Sequence, residues 1–261
     1  MRLAGRVALV TGSSSGMGAA IAVALAREGA SVSLTARRGD RLAEVVEKIT
    51  TDGGVASHVV ADVADREQAA NAVSSTVDRY GRLDIVINSA GGGTMGPVEG
   101  ADLDMWHHMV NVNLLGVLNV THAAVPHLLR QSYSDLLVIS SHSGRLTTPF
   151  NNVYAATKFG VVAFCDSMRQ EMADKGLRVT VIEPGMTRGT EITNASNDPE
   201  LQKFVLDFLA NKVTLSPEDI AATVLHMVSA PPNVTLAEVL ILPTSTYTST
   251  RPATDLDSAS P

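Results

Sequence analysis

Val7-Ala8-Leu9-Val10-Thr11-Gly12-Ser13-Ser14-Ser15-Gly16-Met17-Gly18 is an apolar run that opens directly onto three glycines, and an amphipathic pattern, Gly16–Glu28, begins inside it. The first four residues read as a buried strand and the last few as a helix start. A glycine-rich turn at such a junction lets backbone N–H groups approach a pyrophosphate at a helix N-terminus, where the aligned peptide dipoles favour negative charge. A glycine triplet by itself is often only a tight turn. The strand before it, the helix after it and its place in the first βα unit make a dinucleotide site the better reading.

Outward from this turn, short β-rich runs alternate with longer amphipathic stretches. Strands are predicted at Val7–Val10, Ser31–Thr35, Ser57–Ala61, Asp84–Ile87, Leu136–Ser140, Arg178–Ile182 and Val239–Leu242. Helices are predicted at Gly16–Glu28, Asp40–Thr51, Arg66–Tyr80, Met105–Leu129, Val153–Lys175 and Pro217–Ser229. This alternation predicts an α/β protein: a single-domain Rossmann fold with a doubly wound, seven-stranded parallel sheet and helices on both faces. The strands are nearly all apolar, as expected when both faces are covered. The domain is expected over residues 1–243, with a substrate lid at about 187–213 whose polar start, Asn194–Asp198, gives way to Phe204, Val205, Phe208 and Leu209. The tail, Thr244–Pro261, has nine Ser or Thr among 18 residues and is expected to be a flexible end.

The 261 residues carry 20 Lys+Arg against 27 Asp+Glu, a net charge of −7, with 45% hydrophobic residues. That is enough apolar material for a sizeable core. No block of basic residues offers the electrostatic footprint of a nucleic-acid binder. Cys165, alone in the chain, can form neither an intrachain disulfide nor a cysteine zinc site, and a reducing cytoplasm is the expected setting. The seven histidines show no metal-ligand spacing. The longest apolar run, Ala19–Ala26, is too short for a membrane span. The first strand begins within a few residues of Met1, so no signal peptide is expected.

Tyr154 and Lys158 lie four residues apart at the start of a helical pattern, which puts a proton donor and a cation on one face. A phenol with a pKa of roughly 10 becomes a useful base near neutrality only beside a positive charge. Ser141 falls at the carboxyl end of the fifth strand, where ligands of open α/β sheets gather, with Ser140 and Ser143 as neighbouring alternatives. After the second strand, Ala36 stands where NAD-specific proteins place an acid, and Arg37 follows. Arg37 can fork onto a ribose 2′-phosphate, so NADP(H) is expected over NAD(H), with the neighbouring Arg38 in solvent.

The spacing Thr11-Gly12-x-x-x-Gly16-x-Gly18 resembles that of the short-chain dehydrogenase/reductase family. The resemblance continues through Asp62-Val63, Asn88-Ser89-Ala90-Gly91, Asn113, Ser141, Tyr154-x-x-x-Lys158 and Pro184-Gly185, over residues 5–243. It implies catalytic roles for Asn113, Ser141, Tyr154 and Lys158, with Asn113 ordering a water near Lys158. The cofactor-contacting set it implies comprises Gly12, Ser14, Ser15, Gly16, Met17, Gly18, Arg37, Asp62, Val63, Asn88, Ala90, Gly91, Tyr154, Lys158, Pro184, Gly185, Thr187 and Thr190. The family's usual nicotinamide threonine corresponds to Gly189 here, leaving Thr187 and Thr190 as alternatives. Within the family the chain looks most like bacterial NADP-dependent reductases of the 3-hydroxy-acid and clavulanate-aldehyde type. The resemblance further implies a homotetramer, or a homodimer, and a small carbonyl or alcohol substrate. The alternative to an enzyme is a dinucleotide-binding regulator without turnover. Against it stands the Tyr154–Lys158 pair, for which a sensor has no use.

Overall fold

The computed structural model describes residues 1–189, 203 and 214–244. Of the expected lid only 187–189 and 203 fall among them, and of the expected tail only Thr244. Thr190, Phe204 and Phe208 lie outside the described residues.

Seven parallel strands form one sheet in the order β3-β2-β1-β4-β5-β6-β7: β1 Val7–Thr11, β2 Ser31–Ala36, β3 Val55–Val60, β4 Ile85–Asn88, β5 Ser134–Ile139, β6 Leu177–Pro184 and β7 Glu238–Ile241. Alternate residues of the central strands feed two cores. Ala8, Val10, Ile85, Ile87, Leu137 and Ile139 meet α1 (Gly16–Arg27), α2 (Gly39–Thr51) and a C-terminal helix at Pro217–Val228 on one face. Leu9, Val86, Leu136, Val138, Val179 and Val181 meet α3 (Arg66–Tyr80) and two further helices on the other. This is the doubly wound arrangement in which ligands bind beyond the carboxyl ends of the strands, where the order reverses between β1 and β4.

The stretch read as one helix, Met105–Leu129, is three pieces: α4 (Leu103–Val110), a π turn at Asn111–Leu115 and α5 (Gly116–Leu128). Apolar residues continue through the wide turn, at Val112, Leu114 and Leu115, so the pattern reads straight on although its phase shifts by about one residue. Asp102 caps α4, its carboxylate accepting from Asp104 N and Met105 N. Two further helices with full ranges among the described residues are α6 (Asn152–Met172) and α7 (Pro217–Val228), the latter opened by a reciprocal Ser216–Asp219 capping box.

Strand limits depart from the sequence reading where long-range partners intervene. β5 begins at Ser134, two residues early, because the buried Asp135 carboxylate is held by Arg6 at 2.8 Å and by both arms of Arg178. Arg178 Nη1 also donates to the carbonyls of Ala230, Pro231 and Val234, beyond the end of α7. β3 begins two residues before its predicted start. As an edge strand it exposes Val55, His58 and Val60, so apolar composition there does not mean two covered faces.

Candidate active site

The β1–α1 turn is built as its sequence implies. Gly12 has φ +64°, and a Cβ there would come within 2.7 Å of the Ala90 backbone. The Thr11 hydroxyl accepts from Ser89 N and Ala90 N at 3.1 Å each, pinning the turn to the loop after β4. Thr11 was not singled out from sequence, and only the pairing of β1 with β4 reveals its role. α1 has no acidic residue in its first turn, and the Ser15 hydroxyl makes no capping bond to it. Its N-terminal N–H groups thus present uncompensated positive potential to the cleft.

That cleft has a volume of about 560 Å³ and runs from Ala36, Arg37 and Arg38 past the glycine turn and Asp62-Val63 to Gly91–Thr94 and Asn113. It also collects Met105, His108 and Met109 from α4, residues that sequence reasoning passed over as ordinary helix periodicity. The donor set fits a dinucleotide: bare helix N–H groups and serine hydroxyls for a pyrophosphate, and two guanidinium groups at the other end. Gly12, Ser14–Gly18, Asp62, Val63, Ala90 and Gly91 from the sequence reading all line it. Asn88 does not. The Asn88 side-chain amide is buried and donates to Thr121 Oγ1 at 3.4 Å.

Both arginines are exposed and both line the cleft. Arg37 is 61% exposed with Nη1 4.0 Å from Asp62 Oδ2. Arg38, expected in solvent, is exposed but also reaches over the glycine turn, donating to Ser14 Oγ at 2.9 and 3.2 Å and to Ser15 Oγ at 2.8 Å.

Behind Gly91–Gly93, at the other end of the cleft, Tyr154 and Lys158 share the buried face of α6. Gly93 lies so close to the Tyr154 ring that a Cβ there would come within 2.4 Å of it. Lys158 Nζ donates to the Ile139 carbonyl at 3.0 Å and stands 5.5 Å from the centre of the Tyr154 ring. Burial pushes the Lys158 ammonium down to about 8. Burial pushes the Tyr154 phenol up to about 12, against the opposing pull of a hydrogen bond with Ser141. Ser141 caps a 3₁₀ turn, His142–Gly144, its Oγ accepting from Ser143 N.

Asn113 sits in the π turn, fully buried. Its amide donates to the Gly92 carbonyl at 2.8 Å and to Thr157 Oγ1 at 3.2 Å, while its Oδ1 accepts from Gly92 N. The side chain is therefore a strut between the β4 loop and α6. Thr157 completes the link by donating to the Tyr154 carbonyl at 2.7 Å. Pro184 ends β6, Gly185 N donates to the Ile241 carbonyl, and the buried Thr187 hydroxyl donates to the Gly185 carbonyl at 3.0 Å.

A family model described as short chain dehydrogenase matches residues 6–201. A glycine betaine reductase of Emericella nidulans is 39% identical over 241 residues, 92% of this chain, although the chain spans only 19% of that protein's length. An uncharacterized oxidoreductase of Staphylococcus epidermidis is 35% identical over 238 residues, 91% of this chain and 97% of the relative. Among solved structures, an alcohol dehydrogenase from the archaeon Thermococcus sibiricus complexed with 5-hydroxy-NADP superimposes with a TM-score of 0.80 at 28% identity, covering 90% of this chain and 95% of that one. No helix among the described residues is long and apolar enough to cross a membrane.

Proposed function

Because the chain belongs to the short-chain dehydrogenase family of oxidoreductases, we propose that it is an NADP(H)-dependent carbonyl reductase, or alcohol dehydrogenase, with Ser141, Tyr154, Lys158 and Asn113 as its working residues. The observation that carries this reading is the buried Tyr154–Lys158 pair beside Ser141, at the end of a cleft whose other end offers two arginines. When bound, the nicotinamide supplies or accepts the hydride. Tyr154 holds the proton at its phenol oxygen and passes it to the substrate oxygen, which the Ser141 hydroxyl orients. Lys158 stabilises the phenolate left behind, and Asn113 fixes the β4 loop against the helix that carries both. Small to medium, partly apolar aldehydes, ketones and 3-hydroxy acids are the proposed substrate classes, clavulanate-type aldehydes included.

A panel of these compounds, followed by NADPH absorbance, tests the reading. Turnover of at least one class is expected, whereas tight NADPH binding without any turnover would leave a sensor instead. The proposed tetramer should show in solution as four times the 27.4 kDa chain. Light scattering reads that mass directly, and a monomer would refute it.

Reductive turnover should also carry a signature in pH. Tyr154, raised to about 12, keeps its proton throughout the working range, so loss of the acid is not limiting. Lys158, lowered to about 8, loses its charge first. The reductive kcat is therefore expected to be level below about pH 8 and to fall above it. A profile that rises through this region would contradict the role given to Lys158.

A further inference from the structure

Glu183 is a carboxylate that the proposed chemistry leaves unused. It lies on β6 immediately before Pro184-Gly185, its side chain is 0% exposed, and its Oε1 has no hydrogen-bond partner among the described residues. Its Oε2 accepts from Arg145 Nε, and the Nη2 of the same guanidinium donates to Glu238 on β7. Burial raises the Glu183 carboxyl and Glu238 adds to the rise, while Arg145 and His142 oppose it. Arg145 is the residue that follows the Ser141-capped turn, and its own N–H donates to the His142 carbonyl at 3.1 Å. One side chain thus ties the turn that presents Ser141 to the strand end that leads into Pro184-Gly185, and to β7 beyond it. A buried carboxylate is tolerated only with its counter-charge in place, so the pair holds one separation between the two segments.

Taking the reductase reading as given, we propose that Arg145 is a positioning residue. It acts through Ser141, by bracing the 141–144 turn against Glu183, and so fixes where the substrate oxygen is held relative to the strand end that carries Gly185. Other contacts anchor the same turn to α6, including Ser140 Oγ donating to the Lys158 carbonyl and Asn151 Nδ2 donating to Ser143 Oγ. They fix it toward Tyr154; toward β6 the backbone is tied just ahead of the turn, where Ser140 N donates to the Ile182 carbonyl at 2.8 Å. Among the described residues the Arg145–Glu183 brace adds a side-chain link beyond Ser141, on the far end of the turn, to that backbone tie.

The test compares Arg145→Met with the double variant Arg145→Met/Glu183→Leu, which leaves no lone buried charge. Both are expected to bind NADPH within about twofold of wild type and to lose about tenfold in kcat, because small misplacements of a positioned group are costly to rate. The isotope effect with 4-deuterated NADPH should rise in both. A role confined to stability predicts that the double variant regains wild-type kcat, and that result would overturn the proposal. Amide exchange of the cofactor-free proteins provides a second readout. Exchange over residues 140–151 should quicken in both variants without a general increase, and unchanged exchange there also defeats the proposal. If the wild type reduces nothing in the panel, the reductase reading fails, while the exchange data still decide whether the brace exists.

Discussion

Replacing Tyr154 by Phe should lower kcat by about 10²–10⁴-fold, the range over which a positioned acid or base contributes, while NADPH affinity stays within about twofold. Phenylalanine fills the same space against Gly93 and keeps the ring beside Lys158, so the fold and the cleft survive the change. What disappears is the hydroxyl that hydrogen-bonds with Ser141 and holds the transferable proton. Single-turnover rates and NADPH titrations of the two proteins separate chemistry from binding. Turnover close to wild type in the Phe variant would remove Tyr154 from the mechanism. A parallel loss of NADPH affinity would instead make the residue a cofactor contact first and an acid second.

The second large effect concerns the choice between NADPH and NADH. Arg37→Ala/Arg38→Ala should weaken NADPH binding by about 2–4 kcal/mol while moving NADH little, since only the former brings a 2′-phosphate. Arg38 is expected to carry the larger share. Its guanidinium is already held over the glycine turn by the Ser14 and Ser15 hydroxyls, so less conformational freedom is lost on binding. Both side chains are exposed, so screening discounts either charge contact, and Arg37 has no such hold on the glycine turn among the hydrogen bonds of the described residues. Isothermal titrations of both single variants and the double variant with each cofactor give the answer. Equal losses for NADH and NADPH would mean that these arginines shape the turn rather than read the phosphate.

Arg38 also marks the limit of what the residues reveal before folding. The strand-turn-helix at 7–27 is legible because its signals are local: apolar run, glycines and helical periodicity in one stretch. Tyr154 and Lys158 are legible for the same reason, as spacing alone puts them on one face of α6. Arg38 reaches Ser14 only because β1 and β2 lie side by side, a fact no window around residue 38 contains. Asp135 looks like a loop residue until Arg6 and Arg178, 129 and 43 residues away, neutralise it inside the sheet. The π turn that buries Asn113 is missed because the apolar residues continue on both sides of it, and a phase shift of about one residue does not interrupt an apolar run. Elements whose partners are near in sequence are readable from it. Those completed by charge pairs across the sheet are not.

The clasp formed by Arg178 bears on how the chain can be made. Its guanidinium sits under the sheet between Asp135 and carbonyls of residues 228–234, while β7 adds to the sheet edge only after those residues. While translation is still short of that point, Asp135 and Arg178 have each other but the arginine's remaining donors have no acceptors, and the α1 side of the sheet has no α7 to cover it. An exposed apolar face together with incompletely paired buried charge gives an emerging polypeptide little reason to settle. The ribosome must therefore release nearly the whole domain before its first half is secure, which makes synthesis of this protein close to all-or-none rather than progressive.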